Sequence, residues 1–122
     1  MAPWLEVLGK PLPKDFIRLD RTLFIKKDKS GLDVLVTIKD GVVIHSVLGA
    51  AFSSTDEAVV WAAPFYIVFE GIGTYYGQSK SGGDIYKINN AFALIDWLRL
   101  RADGLIARAV MFSLDLEYLK VQ

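Results

Sequence analysis

The most apolar and most aromatic part of the chain is the central stretch 58–77, AVVWAAPFYIVFEGIGTYYG, whose single charged side chain is Glu70. Residues 65–69 are β-forming and apolar at every position, which is typical of a strand covered on both faces. The stretch is long enough to cross a bilayer, but Pro64, Glu70 and three glycines interrupt it. We therefore predict a central strand at 65–69 and no membrane span.

The residues just before this strand carry two conflicting signals. Ser54 followed three residues later by Glu57 fits a capping box, which predicts a short helix over 55–61 that Pro64 would end. The same residues are rich in β-forming side chains. The sequence leaves residues 57–63 open between helix and strand.

The N-terminal half shows the clearest strand pattern. Segments 16–28, 33–39 and 42–48 have the composition of strands and are separated by turn residues, Gly31 in the first connection and Asp40-Gly41 in the second. Asp-Gly between two β-rich runs is a strong hairpin signal, and the alternation within 33–39 has a period of two. These runs predict an antiparallel meander, followed by a loop over 49–55.

The C-terminal half predicts a polar loop at 78–84, a short strand at 85–88, a helix over about 90–103 and a long strand at 108–120. The helix is indicated by an apolar stripe at helical spacing. Together, these elements predict an α+β fold, with a twisted, mostly antiparallel sheet of five or six strands and the helix 90–103 on one face. A small all-β barrel or sandwich with one helix is the alternative.

The length of 122 residues and the globular composition indicate one domain. Three of the four prolines lie in residues 1–15, which we expect to form an extended arm on a globular domain of residues 16–122. The apolar side chains of this arm either pack over the chain's own core or dock on a neighbouring subunit. Two more apolar side chains, Trp97 and Leu100, fall between the faces of the predicted helix, where they either widen its core stripe or form an exposed contact surface. The candidate interface residues are Trp4, Leu5, Leu8, Trp97 and Leu100.

The formal net charge is zero, but the charges are unevenly distributed. Residues 1–39 have eight basic and five acidic side chains, whereas residues 40–79 have four acids and no Lys or Arg. Opposite charge blocks can pair within one chain or between subunits, and the absence of a basic excess argues against a nucleic-acid partner. The chain contains no cysteine and does not begin with a secretory signal pattern. These observations favour a cytoplasmic or other intracellular location.

No constellation for chemistry is evident in the sequence. The glycines at 71, 73 and 77 do not match a dinucleotide fingerprint, His45 is the only histidine, and no metal-ligand spacing occurs. We predict no catalytic residues, no metal site and no cofactor.

The leading hypothesis is a non-enzymatic protein–protein interaction or assembly module, a self-associating structural subunit; subunits of viral assemblies are one class with these properties. The alternative is a small-ligand-binding domain with an aromatic pocket around Glu70, in which residues 78–84 form a lid. The pocket residues of this alternative are Trp61, Tyr66, Glu70, Tyr75 and Tyr76.

Overall fold

The computed structural model describes residues 3–122 and contains within them three helices and nine strands. In chain order the elements are α1 (Pro3–Glu6), β1 (Ile17–Arg18), β2 (Leu23–Lys27), β3 (Asp33–Lys39), β4 (Val42–Phe52), α2 (Thr55–Ile72), β5 (Thr74–Gln78), β6 (Asp84–Ile88), β7 (Ala91–Ile95), β8 (Arg99–Leu100), β9 (Ile106–Ser113) and α3 (Leu116–Lys120).

All paired strands are antiparallel and form one open sheet in the order β1-β2-β3-β4-β9-β7-β6-β5, and β8 pairs with β9 beside this path. The α+β class and the mostly antiparallel sheet are confirmed. The predicted count of five or six strands is too low, because short segments such as β1 and β8 also pair. The two ends of the sheet do not meet, so the alternative of a closed barrel is not found.

Strands β3 and β4 lie where the sequence predicts them, but the single strand predicted at 16–28 is two short strands, β1 and β2, which pair with each other. Asp40 and Gly41 have φ values of 52° and 80°, as a tight hairpin with two left-handed residues requires. The predicted loop at 49–55 is wrong in its first half, because β4 continues to Phe52. Residues 49–52 have partners on β9, from Gly49 opposite Ala109 to Phe52 opposite Ile106.

The central stretch is mainly a helix, so the predicted strand at 65–69 is wrong. Helix α2 begins after Ser54, whose hydroxyl accepts a hydrogen bond from the Glu57 amide at 3.2 Å, and Pro64 lies inside it. Its buried residues are spaced at four, three and four positions: Ala58, Ala62, Phe65 and Phe69. Burial of this stripe outweighs the β-forming preference of the individual side chains.

The predicted helix over 90–103 is also wrong. Residues 91–95 form β7, and a turn at 102–104 with Gly104 at φ 83° separates the short β8 from β9. Strand β7 lies between β6 and β9 and is buried on both faces, so its apolar residues do not alternate. A strand without alternation gives the same pattern as a broad helical stripe.

The predicted strand at 108–120 ends early, at Ser113. The side chain of Asp115 accepts a hydrogen bond from the Glu117 amide at 3.0 Å and caps α3. A capping aspartate favours a helix start, and the apolar residues after it lie on the face of the sheet opposite α2.

The two faces of the sheet are covered to different extents. On the face that we call the helix face, α2 packs on a buried core that includes Val36, Leu48 and Phe112. On the opposite face, α3 packs on β7 and β9, where Leu119 is buried with Ile85 and Leu94. We call this second face the open face, since α3 covers only one part of it.

The N-terminal residues continue this core. The amide of Gly9 donates to the Val43 carbonyl at 2.8 Å, and the Val43 amide donates to the Lys10 carbonyl at 2.8 Å. Residues 3–6 are a short helix, where the sequence predicts an extended segment. The division into an arm and a globular domain stays a prediction. Among residues 3–122, no helix combines the length and the apolar character that a membrane span needs.

Candidate functional site

The main feature of the open face is a row of apolar side chains that crosses four strands. Directly opposed residues of antiparallel strands point to the same face of a sheet. The register places Ile17 opposite Ile25, Ile25 opposite Leu35, and Leu35 opposite Val47. We call these four residues the open-face row. Beyond Val47 the same line continues through Met111, Leu94 and Ile85.

Only the far end of this line is covered. Leu94 and Ile85 are fully buried beneath α3, whereas Ile25, Leu35 and Val47 are half-buried and Ile17 is 68% exposed. On the same strand as Leu35, Val34 and Val36 point to the helix face and are completely buried. An antiparallel sheet with one wet face normally carries polar side chains there. The open-face row is therefore an apolar surface without a covering layer in residues 3–122.

A shallow recess of about 320 Å³ adjoins the row. Its floor carries small residues, and a charge of each sign stands at its edge. The residues that line the recess include Leu35, Gly49, Ala51, Ala107, Ala109, Asp33 and Arg101. A recess of small side chains beside a row of bulky ones is a relief that suits a self-complementary two-fold contact.

A second apolar surface lies on the opposite side of the molecule, along the outer face of α2. Val60 and Ile67 are 71% and 72% exposed, and Ala63 and Pro64 between them are exposed too. The outer face of a surface helix is usually charged, so the exposed apolar side chains on the outer face of α2 are unusual. The sequence predicts a strand at 65–69 and therefore does not indicate this surface.

The structure brings together three of the five residues predicted to line a ligand pocket. The hydroxyls of Tyr66 and Tyr75 donate to the Asp84 carboxylate at 2.7 and 3.4 Å, and the Tyr86 hydroxyl donates to the Glu70 carboxylate at 3.4 Å. The sequence does not predict Asp84 and Tyr86 as members of this cluster, because their contacts with Tyr66 and Glu70 depend on how β6 packs beside α2.

The phenols of this cluster remain protonated at neutral pH. Burial, followed by the hydrogen bond to Asp84, raises the pKa of Tyr66 far above its ordinary value. Burial, followed by the charge of Glu70, raises the pKa of Tyr86 to about 12. Groups that hold their protons so firmly are poor general acids and nucleophiles near neutral pH. They act here as hydrogen-bond donors that join α2 to β6.

The other two predicted pocket residues lie elsewhere. Trp61 packs against Phe52 and Phe65, with ring centroids 5.6 and 5.1 Å apart, at the N-terminal half of α2. Tyr76 packs edge-to-face on Phe92, at 6.2 Å. The five residues are therefore distributed over three separate clusters.

The predicted interface residues also separate into two groups. Trp4, Leu5 and Leu8 are half-buried against the chain's own core. Trp97 and Leu100 are 54% and 76% exposed, but they lie in and beside β8, not on a helix. The prediction that these five form an interface stays a prediction.

His45 lies on the open face beneath α3. Its Nδ1 is 2.6 Å from the Ser113 hydroxyl, and its ring stacks on Tyr118 with centroids 3.6 Å apart. Burial lowers the pKa of His45, and the charge of Asp115 partly offsets this effect. Ser113 is completely buried, so its hydroxyl has no access to a substrate, and the pair serves to pack α3 on the sheet.

Asp96 and Arg108 are two buried charged residues on the strand side of α2, and Arg108 connects the strands to this helix. The Asp96 carboxylate accepts hydrogen bonds from the Arg99 guanidinium at 2.9 Å and from the Trp97 amide at 2.9 Å. Arg108 donates to the backbone carbonyls of Asp96 and Ala58 at 3.2 and 3.4 Å. Within residues 3–122, no group of three His, Asp or Glu side chains is placed to hold a metal ion.

Comparisons of the chain with protein-family models, with curated proteins and with solved structures found no match.

Proposed function

We propose that the chain is a non-enzymatic, self-associating module and that two copies pair through their open faces. The observation that carries this proposal is the open-face row, an apolar line that crosses four strands and that no other element of residues 3–122 covers. Burying such a row against a second copy removes it from water and gives the sheet its missing second layer.

The geometry of sheet packing supports a symmetric pair. Two sheets that stack face to face lie about 10 Å apart and keep their strands within about 30° of each other, with interdigitating side chains. In a two-fold pair, Leu35 of one copy can enter the small-residue recess of the other, and the same contact then occurs twice. The edge of the recess carries Asp33 and Arg101, which are ion-paired within the chain to Lys27 and Asp103, so the interdigitation of apolar side chains carries the proposed contact.

The outer face of α2 is the competing surface. A two-fold pair of α2 helices that run antiparallel would bring Asp56 and Glu57 of one copy near Glu70 of the other, and residues 40–79 contain no basic side chain to offset them. This like-charge contact disfavours pairing through α2. We assign α2 to contact with a different, basic partner, and the open face to self-association in a reducing, intracellular compartment.

The test is the mass in solution of two matched double variants. Leu35→Lys with Val47→Lys places two charges on the open face, and Val60→Lys with Ile67→Lys places the same charges on α2. All four positions are at least partly exposed, so lysine can extend its ammonium into water in the monomer.

We expect light scattering to give a dimer for the unchanged protein and for the α2 variant, and a monomer for the open-face variant. A monomeric unchanged protein at high micromolar concentration would refute self-association. Dissociation of the α2 variant alone would move the interface to the helix.

A further inference from the structure

A groove on the helix face lies between α2 and the N-terminal segment, away from the open face. Leu48 of β4 and Phe65 of α2 line it, together with Trp4 from α1, and its volume is about 670 Å³. This volume is within the roughly 300–1,000 Å³ range of small-ligand sites. Leu48 and Phe65 are buried and Trp4 is half-buried, so the inner surface is mostly apolar.

The mouth of this groove is basic. Lys26, Lys27 and Lys29 stand around it, and we call it the lysine-rimmed groove. Lys27 is engaged in an ion pair with Asp33 at 2.7 Å. Within the part of the chain that the structure describes, Lys26 and Lys29 form no ion pair. The Lys26 ammonium donates to the Lys14 carbonyl at 3.5 Å and lies 5.8 Å from the centre of the Phe16 ring, and neither contact neutralises its charge.

The single acid that lines the mouth, Asp28, offsets only part of the charge of the three lysines. One carboxylate oxygen of Asp28 accepts hydrogen bonds from the Ser30 amide, the Ser30 hydroxyl and the Leu32 amide, at 2.9, 2.6 and 3.0 Å. These bonds hold the turn between β2 and β3. Burial acts to raise the pKa of Asp28, but the hydrogen bonds from Ser30 and Leu32 together outweigh it and lower the pKa. The carboxylate is thus committed to the turn that presents Lys29.

We propose that the lysine-rimmed groove binds a small amphipathic anion. Its apolar tail lies against Leu48, Phe65 and Trp4, where contact removes apolar surface from water. Its anionic head lies at the mouth between Lys26 and Lys29, which donate charge-assisted hydrogen bonds to it. A carboxylate and a phosphate monoester share this head chemistry, and the site is independent of the pairing proposed for the open face.

The experiment is a calorimetric titration of the full chain with alkyl anions below their micellar concentrations. Tail length is varied with octanoate, decanoate and dodecanoate. Decanol has the same tail as decanoate without its charge, decyl phosphate replaces the carboxylate with a phosphate monoester, and inorganic phosphate is an anion without a tail. We expect Kd to fall about fourfold for each added CH₂, because each buried CH₂ contributes about that factor. Decanol should bind at least tenfold more weakly than decanoate.

The variant for this test is Lys26→Gln with Lys29→Gln, and the matched control is Lys39→Gln with Lys87→Gln, two exposed lysines outside the groove. The groove variant should weaken decanoate binding about tenfold and the control less than twofold. Tighter binding of decanoate or of decyl phosphate identifies the head that the site prefers. The proposal is overturned if decanol binds as tightly as decanoate, if inorganic phosphate alone binds equally well, or if both variants behave alike.

Discussion

Gly73, at the junction between α2 and β5, is a position where the packing of the fold leaves no room for a side chain. Gly73 follows α2 in an extended conformation, with φ −127° and ψ −172°, so its backbone angles do not require glycine. The space around it does. A Cβ added at Gly73 would lie 2.7 Å from the Lys87 carbonyl oxygen and 2.8 Å from Cγ1 of Ile88. The first of these atoms is backbone of β6 and cannot turn aside.

Gly73→Ala should therefore push the end of α2 away from β6, and overpacking of this kind costs about 1–3 kcal/mol. For a chain of this length that corresponds to a fall in Tm of roughly 4–12 °C. Gly71→Ala is the matched control, since a Cβ there meets nothing within 4 Å. Alanine inside a helix is favoured over glycine by about 0.5–1 kcal/mol, so this control should be stabilised.

The assay is urea unfolding followed by circular dichroism, at one fixed protein concentration because pairing would make stability depend on concentration. The two substitutions lie two residues apart and should change the free energy of unfolding in opposite directions. A Gly73→Ala variant as stable as the unchanged protein would refute the close approach of α2 to β6. Equal destabilisation by both would refute the helical, open environment of Gly71.

Two further substitutions test the core and the histidine. Phe69→Ala removes a side chain that is 1% exposed and packs on Phe65, Tyr86 and Phe112; it should lower the free energy of unfolding by about 3–5 kcal/mol, whereas Ile67→Ala on the exposed side of α2 should change it by less than about 0.5 kcal/mol. Equal losses of stability in the two variants would contradict the orientation of α2, in which Phe69 faces the core and Ile67 faces water. Burial lowers the pKa of His45 in the folded state, so the unfolded chain takes up the proton first as pH falls below about 6.5, and stability is lost by at most about 1.4 kcal/mol per pH unit. His45→Phe removes this titration, and unfolding measured at pH 7.5 and 5.5 should show a larger loss in the unchanged protein than in the variant; a difference between the two proteins that does not vary with pH would contradict the burial of a neutral His45.

The parts of the fold that the sequence predicts well depend on local signals. The β3–β4 hairpin follows from Asp40-Gly41 and from alternation, and both act over a few residues. The start of α2 follows from Ser54 and Glu57. Its continuation past Pro64 does not, because proline at that position lies on the exposed side and the burial of Phe65 and Phe69 holds the helix together.

The parts that it predicts poorly depend on neighbours distant in sequence. Strand β7 resembles a helix in its pattern because α2 covers one of its faces and α3 the other. Likewise, the alternation of β3 separates Leu35 from Val34 and Val36, but nothing local shows which of the two faces stays uncovered. That depends on where α2 and α3 pack. The sequence therefore places Leu35 on the face opposite Val34 and Val36, but it does not predict that this face carries the open-face row.

The most direct test of the proposed pairing is cross-linking between copies. The chain has no cysteine, so Leu35→Cys introduces a single thiol on the open face, and Ile67→Cys introduces one on α2. We treat each protein with a short bismaleimide cross-linker at concentrations above the dissociation constant of the dimer. We expect the Leu35→Cys protein to become a covalent dimer, in a yield that does not change when the protein is diluted within this range. The Ile67→Cys protein should remain monomeric under the same conditions. Cross-linking at position 67 but not at position 35 would contradict pairing through the open-face row.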